Sequence, residues 1–226
     1  MENTKPIVEL ELYLIRHGQS MGNAGYGRDD LTLKESNDPL LTEKGLNQAD
    51  LLGRYLSETD FEFIYSSGLI RAISTADGIL RYQKNSLPVN ILPILSEVGI
   101  SPEYDGIELN EMKEYCKNAV LADGVNKNDP RVYHSTFENE SEMFERAKKV
   151  TDYLRSRYSN GEKVAVVAHA AFLTILIFSI MGLKETPVFD ISIQNTGITK
   201  VIFYKKGTNR YGDIVFEYIN ETAHLQ

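Results

Sequence analysis

The feature that most limits the folds open to this chain is a run at residues 164–183 with no formal charge, in which His169 is the only titratable side chain. The run is just long enough to span a bilayer. A membrane placement, however, puts an imidazole near the apolar middle, which is unfavourable without a partner. The alternative divides the run at the histidine. Residues 164–168, all Val or Ala, then form an inner strand of a parallel sheet covered on both faces. Residues 170–181 form a helix that Gly182 ends. His169 thus falls at the carboxyl end of a buried strand, the edge at which open α/β sheets bind ligands through loops and helix N-termini with unpaired N–H groups.

A junction of the same kind lies near the start. Val8, Leu10, Leu12 and Leu14 alternate with Glu9, Glu11, Tyr13 and Ile15, the period of a strand that becomes buried on both faces at its end. Arg16, His17 and Gly18 follow, and the glycine lets backbone approach an anion closely. A third strand is expected over 61–65. Ser66 and Ser67 can cap the helix after it, in which Ile70, Ile73, Ala76 and Leu80 point inward and Arg71 faces the same sheet edge. Three strand ends therefore supply Arg16 with His17, Arg71, and His169.

Thr42 is a good N-cap for a helix with Leu46, Ala49, Leu52 and Leu56 on its inner face. An extended run at 89–95, broken by Pro93, precedes Ser96 and Glu97. Residues 24–30 are glycine-rich and read as a loop at the site mouth, and the weakly periodic segment 99–140 reads as a cap over the pocket. A helix is predicted over 141–158, with Phe144, Ala147, Val150 and Leu154 inward. Glu142 with Arg146, and Glu145 with Lys149, are expected to be pairs on its solvated face. After the strand 163–168, residues 198–204 and 213–219 predict a hairpin at an antiparallel edge, and the tail 220–225 returns to the core or frays.

A length of 226 residues suits one α/β domain over 1–226 with an inserted cap. The net charge of −8 argues against general affinity for nucleic acid or anionic membrane, so an anion site must be a local cluster of cations. Cys116 is the only cysteine. That excludes an internal disulfide and a multi-cysteine metal site, and a reducing, cytoplasmic compartment is the simplest fit. The first residues lack the basic start and apolar core of a signal peptide. The order of elements leaves the oligomeric state open.

A phosphoryl group in transfer spreads negative charge over its oxygens, and catalysis consists largely of positioning and charge stabilisation. Arg16 and Arg71 can grip those oxygens through paired donors, His169 can add a donor when protonated, and Asn23 a neutral one. Neutral His17 offers a ring lone pair that can attack phosphorus and form a phosphohistidine, which water then hydrolyses. Glu97 is the candidate acid for the leaving alcohol and base for the water. A metal held by His17, His169 and a carboxylate such as Asp38 is the other chemistry these residues permit, but nearby guanidiniums repel a cation.

Taken together, these residues resemble the histidine phosphatase superfamily, also called phosphoglycerate mutase-like. Leu14, Ile15, Arg16, His17, Gly18 and Ser20 look like its signature, and Asp38, Pro39, Leu40, Leu41 and Thr42 with Gly45 like the next block. Tyr65, Ser66 and Ser67 with Arg71, Ala72, Thr75 and Ala76 look like the block carrying the second phosphate arginine. Val167, Ala168 and His169 look like the second histidine block, and Asn195, Thr196 and Gly197 extend the likeness towards Asn220. The resemblance implies a three-layer αβα sandwich with a mixed, mainly parallel central sheet. It also implies His17 as nucleophile, Glu97 as proton donor, and Arg16, Arg71 and His169 as phosphate ligands, with no metal and no cofactor. Two departures stand out: the chain has no tryptophan, where the mutases carry one after this motif, and Ala170 stands where glycine is common. They favour a phosphomonoesterase acting on a small phosphorylated substrate. A cofactor-dependent phosphoglycerate-type mutase, or a phosphate-binding regulatory protein with weak turnover, are the alternatives.

Overall fold

The computed structural model describes residues 5–25, 30–133 and 138–226. Its seven strands are β1 (Val8–Arg16), β2 (Phe63–Ser66), β3 (Val89–Ile91), β4 (Ala119–Leu121), β5 (Glu162–Ala168), β6 (Ile198–Tyr204) and β7 (Ile214–Glu221). They form one sheet in the order β4-β3-β2-β5-β1-β6-β7. The first five in that order are parallel, whereas β6 runs antiparallel to both β1 and β7. The hairpin at the antiparallel edge is as expected.

Alternation along the central strands builds three layers. Leu10, Leu12, Leu14, Val164 and Val166 pack on one face with Phe144, Ala147 and Val150 of α5 (Glu140–Arg155) and Phe172, Leu173 and Leu176 of α6 (Ala170–Ile180). Tyr13, Ile15, Ala165 and Val167 point the other way. There they meet Leu52 of α2 (Glu43–Tyr55), Ile70, Ile73 and Ala76 of α3 (Ile70–Leu80) and Met112 of α4 (Leu109–Tyr115). The short α1 (Leu33–Asn37) starts at a capping box made by Thr32 and Glu35. The apolar run at 164–183 is divided at His169 into β5 and α6, with Gly182 in the left-handed region at φ 88°. No helix among the described residues is long and apolar enough to cross a membrane.

Several local expectations need correction. Leu46 does not join the inner face of α2 but is 52% exposed, because that face runs through Gly45, Gln48, Ala49, Leu52 and Gly53, with Leu56 buried just after it. Neither Ser66 nor Ser67 caps α3, whose N-cap position is Leu69 without a side-chain bond. Of the segment 99–140, Ala119–Leu121 extends the sheet beside β3, and α4 packs into the core through Met112, so this part lies within the sandwich. Residues 134–137 of that segment, and 26–29 of the loop expected at the site mouth, lie outside the described residues. The tail returns to the core: His224 is buried, with Nε2 2.9 Å from Thr196 Oγ1.

The largest correction is Arg146, expected on a solvated helix face but only 1% exposed. Its Nε and Nη2 each donate to Glu138 at 2.8 Å, and its Nη1 donates to the carbonyls of Ile94 (3.1 Å) and Ser96 (2.8 Å). The rings of Phe172 and Tyr133 lie 4.2 and 4.8 Å from its guanidinium carbon. Its nominal partner Glu142 instead completes a capping box with Asn139 at the start of α5.

Candidate active site

Strand register brings the two histidines together. Arg16 of β1 is paired with Ala168 of β5, so the next residue of each strand leaves the sheet beside the other. The His17 and His169 rings have centroids 5.1 Å apart, and the His17 N–H donates to Ala168 O at 3.0 Å. Both residues are buried, at 3% and 0% exposure.

His17 Nδ1 lies 2.6 Å from Gly18 O. A carbonyl only accepts, so Nδ1 carries the hydrogen and Nε2 keeps its lone pair. The turn is held from both sides. The Gly18 N–H donates to Thr75 Oγ1 at 3.0 Å, and a Cβ on Gly18 would come within 2.5 Å of Gly45 O in the first turn of α2. A Cβ on Gly45 would lie 2.0 Å from Gln19 O, so this close approach requires glycine on both sides. Thr42 caps α2 through Gly45 N–H at 3.0 Å, as the sequence predicts.

His169 has Nε2 2.7 Å from Ser67 Oγ. That hydroxyl also accepts the Leu69 N–H at 3.3 Å, and with two lone pairs and one hydrogen it can pair with either tautomer of the imidazole. The other ring nitrogen, Nδ1, is buried without a protein partner. In its Nδ1–H tautomer His169 can donate from that position while neutral, and as a cation it donates from both nitrogens. Burial, and then the charge of Arg71, pull both imidazoles well below the ordinary histidine value, so both are neutral near pH 7.

Arg71, 7% exposed in the first turn of α3, donates from Nη1 to Asn37 O at 3.0 Å and lies 3.7 Å from Asp38 Oδ1. Asp38 supplies the missing cap of α3, accepting the Ile70 N–H on Oδ1 at 2.7 Å and the Tyr104 hydroxyl on Oδ2 at 2.9 Å. Burial pushes its carboxyl up to about 6 despite Arg71. Both oxygens of the carboxylate that a metal reading would enlist are therefore engaged. Among the described residues, no group of three His, Cys, Asp or Glu side chains is arranged to hold a metal ion.

Arg16 donates from Nη1 to Ile193 O at 2.7 Å, while its Nε is buried with no protein partner. Glu97 reaches the first turn of α6. Its Oε1 accepts the N–H groups of Val98 (2.9 Å) and Phe172 (3.0 Å), and its Oε2 that of Ala171 (3.4 Å). It also interacts electrostatically with both Arg16 and Arg71. Asn23 Oδ1 accepts from Ser20 N–H (3.3 Å) and Asn195 Nδ2 (3.1 Å), leaving its amide nitrogen as the donor. Asn195 Nδ2 also donates to His17 O at 3.0 Å.

Arg16, His17, Arg71, Glu97 and His169 therefore share one sheet edge, and Asn23 is tied to it through Asn195. Ser67, Thr75 and Asn195 orient these groups without having been singled out as site residues. Single serine, threonine and asparagine side chains carry no periodic signal, and only the folded chain reveals what they reach.

The neutral histidines set a pH dependence of stability. An unfolded histidine takes up a proton near pH 6.5, whereas these two do not, so their contribution is present above that pH and lost as pH falls through it. Between pH 6.5 and 5.5 the loss is about 1 kcal/mol for each imidazole. His224, also lowered by burial, acts in the same sense. Asp38 opposes them, because its raised carboxyl binds a proton in the folded state first, which returns ~0.7 kcal/mol over the same interval. Urea unfolding at pH 5.5 is expected to have a lower midpoint than at pH 6.5, by an amount near 1 kcal/mol or somewhat more. A midpoint that rises on acidification would contradict the neutral assignment.

The family model of the histidine phosphatase superfamily (branch 1) matches residues 12–211. The fructose-2,6-bisphosphatase TIGAR of Xenopus laevis is 36% identical over 110 residues, a match spanning 48% of this chain and 38% of that protein. A 2,3-bisphosphoglycerate-dependent phosphoglycerate mutase of Methylobacterium radiotolerans is 30% identical over 200 residues, 86% of this chain and 89% of that one. Among solved structures, phosphoserine phosphatase from Entamoeba histolytica in complex with 3-phosphoglyceric acid superposes with a TM-score of 0.63 at 24% identity, covering 96% of this chain and 100% of that chain. At that identity the likeness is one of fold.

Proposed function

This chain belongs to the histidine phosphatase superfamily, and from that premise we propose that it is a phosphomonoesterase that works through a phosphohistidine on His17, without a metal. The observation that carries this reading is a set of three ring and guanidinium nitrogens at one sheet edge. His17 Nε2 has a free lone pair, Arg16 Nε is a buried donor with no protein acceptor, and His169 Nδ1, likewise buried and unpartnered, is a donor in its Nδ1–H tautomer. A tetrahedral oxyanion suits both donors, and Arg71 adds a second guanidinium.

In the first step Nε2 of His17 attacks phosphorus, the N–P bond forms and the P–O ester bond breaks. The leaving oxygen takes a proton from the carboxyl of Glu97. In the second step Glu97, now a carboxylate, takes a proton from water as its oxygen attacks phosphorus. The N–P bond breaks, and neutral His17 and inorganic phosphate result. Arg16, Arg71, His169 and Asn23 hold the equatorial oxygens in both steps.

The test is a panel of phosphomonoesters offered to the purified protein in excess chelator. Turnover is expected to persist there and to be inhibited by vanadate. Activity restored only by added metal would overturn the mechanism. Transfer that requires a bisphosphorylated primer would identify a mutase, and phosphate binding without turnover a regulatory protein.

A further inference from the structure

Next to the two histidines lies a cavity of about 450 Å³ that shares Arg16 with the anion site and reaches Ala170 and Ala171, the residues directly after His169. Val98, adjacent to Glu97, and Met143 of α5 contribute to its lining, as do Ile175 and Phe178 of α6. Ile191 and Ile193 come from the strap between α6 and β6.

Four backbone polar groups of the lining strap are engaged within the protein. Ile191 O accepts the Thr174 hydroxyl at 3.2 Å, and Ile193 O accepts from Arg16 Nη1 at 2.7 Å. The Ile191 N–H donates to Asp190 Oδ1 at 2.8 Å, and the Thr186 N–H to Glu140 Oε1 at 2.7 Å. Among the described lining residues the formal charges are Arg16 and Asp190, and Glu97 stands beside them as a further carboxylate.

This inventory discriminates between classes of alcohol. A second phosphate or a carboxylate on the substrate would enter a space whose one cation is used by the transferred phosphate and which has two carboxylates at hand. Such a placement leaves a poorly solvated anion unpaired. Apart from the side chains of Thr174, Thr186, Asp190 and Ser192, a polyhydroxylated body would turn its hydroxyls towards Ile, Phe, Met and Val side chains that cannot bond them. An apolar body loses nothing there and gains from leaving water.

We propose that the alcohol half of the substrate is uncharged and mainly apolar, an aryl or branched alkyl group seated in this cavity. The inference rests on the phosphomonoesterase reading and specifies its substrate class.

The test compares kcat/KM for 1-naphthyl phosphate, phenyl phosphate, phosphoserine and 3-phosphoglycerate. 1-Naphthyl phosphate is expected to exceed 3-phosphoglycerate and phosphoserine by about tenfold or more, with phenyl phosphate between. Ile191→Lys, and independently Met143→Lys, are expected to narrow that gap by raising KM for 1-naphthyl phosphate while leaving its kcat within about twofold. A reversed substrate order, or variants that change all four substrates equally, would sink the inference while leaving the phosphatase reading intact. Binding of 1-naphthylmethylphosphonate and 3-phosphonopropionate by calorimetry separates the two ideas. The naphthyl ligand binding more tightly in a protein that turns over no ester would keep the apolar subsite and overturn the hydrolytic reading.

Discussion

A His17→Ala variant is expected to lose phosphomonoesterase activity on the order of 10⁴-fold or more, because no other side chain offers a ring lone pair at the same position. The neighbouring imidazole does not substitute, since His169 Nε2 is tied to Ser67 Oγ at 2.7 Å. Vanadate or phosphate binding should survive in part, as Arg16, Arg71 and His169 all remain. His17→Asn preserves a donor for the Gly18 carbonyl and checks that the loss does not come from a disordered turn. Acid-labile labelling by a phosphorylated substrate is expected in the native protein and absent from both variants. Full activity in His17→Ala would remove the nucleophile from the mechanism.

The second large effect is on stability. Arg146→Met leaves the buried carboxylate of Glu138 without its partner and strips two carbonyls, Ile94 O and Ser96 O, of their donor. Breaking one side of a buried ion pair is destabilising by about 3–5 kcal/mol. At ~2–4 °C per kcal/mol for a chain of this size, the thermal midpoint should fall by roughly 6–20 °C. Replacing both members, Arg146→Met with Glu138→Leu, should recover much of that loss, because the desolvation penalty disappears with the charges. Calorimetry of the two variants beside the native protein checks this: a double variant no more stable than Arg146→Met would show that the carbonyl contacts, not the charge pair, dominate. Since Ser96 O precedes Glu97 directly, Arg146→Met should also impair substrates with poor leaving groups more than aryl phosphates.

Much of the sheet was legible because buried parallel strands leave apolar runs that end abruptly. The ends of β1 and β5 are marked in this way, and with them His17 and His169. The α3 helix and Arg71 follow from ordinary amphipathic spacing. What periodicity could not show was the destination of polar side chains across long sequence distances. Asp38 caps a helix 32 residues away, and Arg146 turns inward because carbonyls near residue 95 and the carboxylate of Glu138 receive it. An arginine at helical spacing from a glutamate looks the same whether it faces water or the core, and only the partner distinguishes them. Segment 99–140 was misleading for a related reason: β4 has three residues, too few to establish an alternation.

Pairing of Arg16 with Ala168 has a consequence for biogenesis. The two imidazoles are contributed by stretches made early and late in translation, and they become neighbours only when the fifth strand docks against the first. A chain in which that docking has not occurred lacks the paired imidazoles on which the proposed mechanism depends. Catalysis can therefore serve as an assay for complete folding: regain of turnover after denaturation should follow the closing of the sheet in time, and proteolytic fragments from either half should be inert until mixed.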